Sequence, residues 1–178
     1  MKTRTAIFLL CLLCLAATAC GPSRDKELDT INRYEDSLVQ QGLILNDALG
    51  KEMLRLYVQF ANDFPTDSMS PLYLYRASDI ASSLSMYDES LQYLNRIIDE
   101  YPEFEEASTC LFLKANVFEN CMMLDSATQA YNDFLASFPD HPLAESARIA
   151  LQYVGLSDEE MFRRIMANAP QGDEVPLP

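Results

Sequence analysis

Apolar residues recur along this chain at the three- and four-residue steps of helices, and the whole pattern repeats every 37 residues. Three aromatic–proline pairs mark the interval: Phe64-Pro65, Tyr101-Pro102 and Phe138-Pro139. Because proline cannot continue a helix, each pair ends a helix at the same point of the repeat. The sequence therefore predicts a repeat protein whose core is formed by recurring columns of residues. The columns are Tyr57, Leu94 and Tyr131; Phe60, Ile97 and Phe134; and Ala61, Ile98 and Leu135.

The same periodicity predicts eight helices, with no competing strand pattern. Gly42 and Gly155 follow two of the predicted helix ends, and Ser157 with Glu160 forms a capping box for the last helix. The acidic, proline-rich residues 170–178 are expected to be disordered. The predicted helices are Glu27–Gln40, Asp47–Phe64, Pro71 to a break at Ser85-Met86, Tyr87–Tyr101, Glu105–Met122, Asp125–Phe138, Pro142–Tyr153 and Ser157–Ala169.

The start of the chain reads as a signal peptide. Lys2 and Arg4 precede an uncharged run from Ala6 to Ala19. A helix that spans a bilayer needs about 20 apolar residues, so this run is too short to cross comfortably. The pattern predicts a signal peptide over residues 1–19 that is removed during export.

The junction Ala17-Thr18-Ala19-Cys20 resembles the lipobox of bacterial lipoproteins. That resemblance implies that Cys20 is acylated, with palmitate among the acyl chains, and that no other covalent group is present. Residues 20–26 would then form a lipidated tether. Gly21 after the cysteine implies sorting to the outer membrane, on its periplasmic or surface face. The alternative is an ordinary secretory signal in which Cys20 is incidental.

Charge and cysteine content narrow the classes of function. The formal net charge is −14, and the signal segment contributes only basic residues, so nucleic acid is an unfavourable partner. Cys110 and Cys121 are eleven residues apart on one predicted helix, too far along its axis to form a disulfide, and are expected to be small buried hydrophobes. His141 is the only histidine, so no metal site and no metal or other non-covalent cofactor is predicted.

Two segments resemble the tetratricopeptide repeat, whose second helix opens on an aromatic, two polar residues and a small residue, with proline fifteen positions after the aromatic. They are Tyr87-Asp88-Glu89-Ser90 and Leu124-Asp125-Ser126-Ala127. Ser78 and Ala115 stand where the first helix of that repeat also has a small residue. The resemblance implies an all-α, right-handed superhelix of antiparallel helix pairs over residues 27–169, with three to four repeats and a C-terminal capping helix.

The run from Tyr131 to Ala147 is similar to repeats in two kinds of envelope protein. One is the lipoprotein subunit of the outer-membrane β-barrel assembly machine, and the other is the Tol-associated periplasmic tetratricopeptide-repeat protein. Both bind other proteins. The resemblance implies a non-catalytic envelope scaffold or adaptor, in outer-membrane assembly or envelope maintenance, that binds a protein or peptide.

In this family the first helices of successive repeats line a binding groove, and ten residues occupy the matching positions. None of them is basic, which argues against a clamp for a peptide carboxylate and favours an extended or helical peptide with apolar anchors and positive charge. The alternative is that Tyr75 and Phe112 pack against the terminal helix in the free protein. The predicted groove residues are Leu72, Tyr75, Asp79, Ser83, Phe112, Asn116, Glu119, Asn120, Ile149 and Tyr153.

The sequence also bears on two other classes of function, an enzyme and a receptor for a small ligand. Carboxylates cluster at Asp99, Glu100, Glu103, Glu105 and Glu106, but no nucleophile–histidine pair or glycine-rich phosphate loop accompanies them, so catalysis is not predicted. A receptor for a small envelope ligand such as a glycan fragment is the remaining alternative, because aromatic faces stack on sugars.

Overall fold

The computed structural model describes residues 21–40, 42 and 46–168, and all regular structure within them is helical. The signal segment with Cys20, and the tail from residue 169, lie outside the described residues. The chain divides into two compact units, one up to Ala77 and one from Ser78 onward. The described helices are α1 (Arg24–Gln40), α2 (Asp47–Asp63), α3 (Ser70–Ser83), α4 (Tyr87–Glu100), α5 (Ala107–Asn120), α6 (Leu124–Ser137), α7 (Ala144–Tyr153) and α8 (Asp158–Asn168).

The core of the first unit is aromatic. Tyr57 of α2 stacks on Tyr73 of α3 with ring centroids 5.1 Å apart. Phe60 meets the same Tyr73 edge-on at 4.9 Å and is itself fully buried. Such pairs stabilise a core beyond the area they bury. All three predicted columns therefore begin with a buried residue of α2, since Ala61 is fully buried as well.

Helix α1 begins at Arg24, three residues before the predicted start. The Arg24 guanidinium donates to both carboxylate oxygens of Asp67, with Nη2 to Oδ1 at 3.2 Å. This hydrogen bond lowers the pKa of Asp67. The side-chain contact extends the helix into Arg24–Lys26, which the sequence assigned to the tether.

In the second unit consecutive helices pack in order: α4 on α5, α5 on α6 and α6 on α7. Ile97 and Phe134 are 0% exposed, and Leu94 and Tyr131 are 1% exposed, so the two main predicted columns continue here. Ile98 and Leu135 of the third column are only half-buried. The predicted repeat register is confirmed for the two inner columns.

Small residues mark the closest approach of paired helices. Ser90 at the start of α4 is buried and its Oγ donates to Ser78 O of α3 at 2.9 Å. One repeat later, Ala115 and Ala127 take the equivalent places and are both fully buried. A larger side chain at any of these positions would force the helices apart.

The three loops that contain the aromatic–proline pairs have the same backbone hydrogen bonds. The N–H of residues 67, 104 and 141 donates to the carbonyl three residues earlier, and those carbonyls belong to the aromatic–proline pairs. A second bond follows, as from Ala107 N to Phe104 O at 2.9 Å and from Ala144 N to His141 O at 2.8 Å. These turns use residues that the sequence assigned to helices, so α5 starts at Ala107 instead of Glu105 and α7 at Ala144 instead of Pro142.

Helix α5 also ends earlier than predicted, at Asn120 instead of Met122. Met122 has φ of 62°, a left-handed conformation that a right-handed helix cannot contain. Cys121 therefore lies one residue beyond the helix, and the prediction that both cysteines share one helix is wrong by that residue.

The predicted capping box of the last helix is confirmed. Ser157 N–H donates to Glu160 Oε2 at 3.0 Å, and Glu160 N–H donates back to Ser157 Oγ at 3.3 Å. Helix α8 nevertheless leaves three apolar side chains in solvent: Phe162 (64% exposed), Ile165 (49%) and Met166 (59%). Among the described residues, no helix has the length and hydrophobicity needed to cross a bilayer.

Candidate functional site

The ten predicted groove residues lie on the first helices of the repeats, α3, α5 and α7. Leu72 and Tyr75 belong to the first unit, where both are half-buried, and the other eight belong to the second. Six of the ten residues fall into two columns whose members are 37 residues apart. The columns are Tyr75, Phe112 and Ile149, and Asp79, Asn116 and Tyr153.

Phe112 contributes to the core of the second unit as well as to the first-helix face. Its ring lies 5.7 Å from the ring of Tyr131 and 5.7 Å from that of Phe134, both buried on α6. The remainder of Phe112 is accessible, since the residue is only half-buried. Ile149, its equivalent on α7, is 47% exposed, so a partner would reach Ile149 more fully than Phe112.

Two predicted polar groove residues are held by a tyrosine that the sequence placed only in the core. The Tyr131 hydroxyl donates to Glu119 Oε2 at 2.8 Å and also meets the side-chain amide of Asn116. Burial raises the pKa of Tyr131, and the bond to Glu119 raises it further. Asn116 and Glu119 thus fix α5 against α6, and their orientation is set before any ligand arrives.

The more accessible polar positions of this face are Asp79, Ser83 and Asn120, all exposed. Ser83 Oγ donates to Asp79 O at 2.9 Å, within its own helix. Asp79 reaches solvent, but burial of part of the residue raises the pKa of its carboxyl. Tyr153, the third member of the Asp79 column, is half-buried.

Three apolar residues of the terminal helix are largely exposed to solvent. Phe162, Ile165 and Met166 of α8 are all about half exposed or more, and the ring contacts of Phe112 are with α6. The ring contacts of Phe112 therefore give no support to the alternative for that residue, which stays a prediction for Tyr75.

The two cysteines of the domain differ in environment. Cys110 is fully buried, and burial raises the pKa of its thiol to about 12. Cys121 is half-buried, contrary to the expectation that both are buried, and its Sγ donates to Phe118 O at 3.4 Å. Both are free thiols.

The side chain of His141 makes contacts within the fold that stabilise its loop. Its Nδ1 accepts from Leu143 N–H at 3.1 Å, so in the neutral ring the proton is on Nε2, which lies 3.2 Å from Ser108 Oγ. The ring also meets Phe134 edge-on at 5.2 Å. Within the described ranges, no group of three or more His, Cys, Asp or Glu residues is arranged to hold a metal ion.

Comparison with known proteins bears on one part of this architecture. Residues 73–103 match the family model described as tetratricopeptide repeat. The matched segment covers α3 from Tyr73, all of α4 and the start of the next loop, and includes the small-residue contact between Ser78 and Ser90. No curated protein and no solved structure matches the chain significantly. Residues 73–103 are therefore similar to a tetratricopeptide repeat and lie within an all-α, repeat-based fold, and repeats of this type generally bind protein partners.

Proposed function

We propose that this protein is a non-catalytic envelope scaffold that binds a protein or peptide partner on the first-helix face of its repeats. The observation that carries the proposal is the match of residues 73–103 to the tetratricopeptide repeat, combined with the recurrence of its geometry one repeat later. Both repeats place small residues at the helix crossing and have the same loop bonds after proline. Within the second unit the first helices α5 and α7 recur at the repeat interval, and first helices repeated in this way suit an extended ligand.

The chemistry of this face defines the expected partner. Asp79 and Asn120 are exposed, Ile149 is 47% exposed, and no lysine or arginine occurs among the ten groove residues. A partner segment would therefore supply apolar anchors and positive charge rather than a carboxylate. Phe112 and Tyr131 form a rigid base beneath this face, because their rings pack against each other within the repeat.

The proposal is tested with photo-crosslinking residues placed in cells at Ile149 and Asn120, and at Gln92 and Gln129 as controls. The controls are also exposed but lie on the second helices α4 and α6. A protein adduct at the first-helix positions only is the expected result. Adducts at the control positions alone would place binding elsewhere, and a co-purified glycan without a protein adduct would favour a receptor for an envelope ligand.

The proposal also includes a lipid anchor on Cys20 in the outer membrane, supported by the Ala17-Thr18-Ala19-Cys20 motif. Replacing Cys20 with serine should abolish lipidation and move the protein from the membrane to a soluble fraction. Retention of the serine variant in the membrane with its leader uncleaved would mean that the leader is a permanent anchor. A variant that is cleaved and soluble, beside a wild type that is equally soluble, would mean that Cys20 carries no lipid.

A further inference from the structure

A cavity of about 340 Å³ opens beside the loop that joins α4 to α5. Its walls come from the end of α4, the loop itself, the first turns of α5 and the residue after α6. This volume lies at the lower end of the range of ligand pockets, about 300–1,000 Å³, and accommodates one large side chain. The wall is mostly apolar, with Ile98, Pro102, Phe104, Leu111 and Phe138 among its residues.

The cavity is formed by fixed parts of the fold. Two successive backbone bonds, Phe104 N to Tyr101 O at 3.0 Å and Ala107 N to Phe104 O at 2.9 Å, set the shape of the loop. On the opposite side Phe138 is 36% exposed, and its ring lies 6.1 Å from that of the buried Phe134. A ligand side chain that enters would find the walls already in place, which lowers the entropic cost of binding.

The loop beside this cavity is strongly acidic. Glu105 lines the cavity, and Glu103 and Glu106 belong to the same loop. Glu103 and Glu105 are exposed, as is Asp140 in the following loop. Arg96, the nearest basic residue in sequence, already pairs with Glu100 at 2.9 Å. A concentration of carboxylates in the loop beside an apolar opening attracts cationic ligands and raises their local concentration.

The cluster of three glutamates is particular to this one of the three equivalent loops. The loop after Pro65 has Asp67 as its acidic residue, and Asp67 is paired with Arg24. The loop after Pro139 has Asp140 followed by His141. The backbone bonds of the three loops are the same, so the repeat geometry does not require three glutamates in the middle one.

We propose that this cavity, lined by Ile98, Pro102, Phe104, Glu105, Leu111 and Phe138, is a docking site for a peptide segment in which one aromatic or aliphatic side chain is flanked by lysine or arginine. The anchor occupies the apolar cavity and the cations meet the three glutamates. This arrangement is typical of interfaces in which a buried anchor supplies affinity and rim charges steer association. The site is separate from the first-helix face and does not depend on its function.

The probe is the acetylated, amidated peptide Lys-Arg-Phe-Lys-Arg, titrated into the full-length protein and followed by calorimetry. Two matched peptides accompany it: one with alanine in place of phenylalanine, and one with glutamate in place of every basic residue. We expect the alanine peptide to bind at least tenfold more weakly and the acidic peptide not to bind. Equal binding of the alanine peptide, or no binding of the phenylalanine peptide, would overturn the proposal.

Two variants locate the site. Ala107→Leu fills the cavity, whereas Ala136→Leu makes the same change at an exposed position of α6. Binding should fall at least tenfold in the first and stay unchanged in the second, with both folded by circular dichroism. A folded Ala107→Leu variant that binds like the wild type would refute the cavity as the site.

The glutamates are tested separately, which keeps the proposal falsifiable if the cavity-filling variant does not fold. The triple variant Glu103→Gln/Glu105→Gln/Glu106→Gln should bind about tenfold more weakly at low salt and lose most of the salt dependence. The control Asp133→Asn/Glu145→Gln/Glu159→Gln changes the net charge equally at exposed positions of α6, α7 and α8. Equal losses in the two triple variants would mean attraction to overall charge and would overturn the site.

Discussion

Ser85 and Met122 have the same left-handed backbone conformation one repeat apart, with φ of 59° and 62°. Each follows the first helix of a pair and permits the N–H of the next residue to reach back to a carbonyl five positions earlier. Glycine is the usual residue at such a position, since a Cβ there costs about 1–2 kcal/mol. The repeat geometry therefore imposes this turn on side chains that disfavour it. The two closing bonds are Met86 N to Ala81 O and Met123 N to Phe118 O, each 2.8 Å.

Replacing Met122 with glycine should stabilise the protein. The Met122 side chain is 75% exposed, so little packing is lost, and the relief of strain exceeds the entropy that glycine adds to the unfolded chain. We expect the free energy of unfolding to rise by about 0.5–1 kcal/mol in urea denaturation. The control is Met123→Gly, at a residue with φ of −85°, where no strain is relieved and stability should fall. A gain in both variants would contradict this explanation.

Truncating Phe134 to alanine should strongly destabilise the repeat. Phe134 is fully buried and contacts the rings of Phe112, Phe138 and His141. Loss of a buried phenylalanine typically costs about 3–5 kcal/mol. Phe162→Ala on α8, where the residue is 64% exposed, should change stability by no more than about 0.5 kcal/mol. Similar denaturation midpoints for the two variants would show that the column is not core.

The thiols should react at very different rates in the folded protein. Burial holds the Cys110 thiol neutral, with a pKa of about 12, and denies it access to reagents, whereas Cys121 is half-buried at the end of α5. Iodoacetamide at pH 8, followed by peptide mass mapping, should label Cys121 well before Cys110. In urea both should be labelled at similar rates. Rapid labelling of Cys110 without denaturant would mean that α5 opens readily.

Stability should decline above pH 10. Burial raises the pKa of Tyr57 and Tyr131 in the folded protein, and hydrogen bonds to Glu35 and Glu119 add to the effect. A phenol in the unfolded chain titrates near pH 10. The stabilising contribution is complete below that pH and is lost as pH rises, because the unfolded chain releases protons that the folded chain retains.

The measurement is urea denaturation between pH 9 and 11, together with tyrosinate absorbance at 295 nm. Tyr131→Phe should lower stability at pH 8 through loss of its hydrogen bonds, yet make the fall in stability above pH 10 less steep. An identical slope in wild type and variant would mean that Tyr131 titrates normally in the folded protein.

The predicted helix boundaries lie within about three residues of those observed because they depend on local information. Apolar spacing, proline and the Ser157–Glu160 box act over one or two turns, and the 37-residue interval identified Phe60, Ile97 and Phe134 as core. The main misplaced ends have three causes. The turns after proline include residues of ordinary helical composition, and Met122 has a left-handed conformation that the identity of the residue does not predict. The early start of α1 accompanies a contact between Arg24 and the distant Asp67.

The candidate site was less predictable, because the contacts of its residues are with residues far away in sequence. Repeat register correctly placed Asn116 and Glu119 on a first helix, but only the packing of α5 on α6 brought both to the Tyr131 hydroxyl. The same packing placed part of Phe112 in the core.

The sequence by itself determined the all-helical repeat, its register and its small-residue crossings, because each of these is set by residues within one repeat. The tertiary structure decided which side chains remain accessible. The cavity between Ile98 and Phe138 exists because a helix end from one repeat faces the loop of another. The physical reason is that spacing along a helix defines a face, whereas burial depends on what the neighbouring helices place against that face.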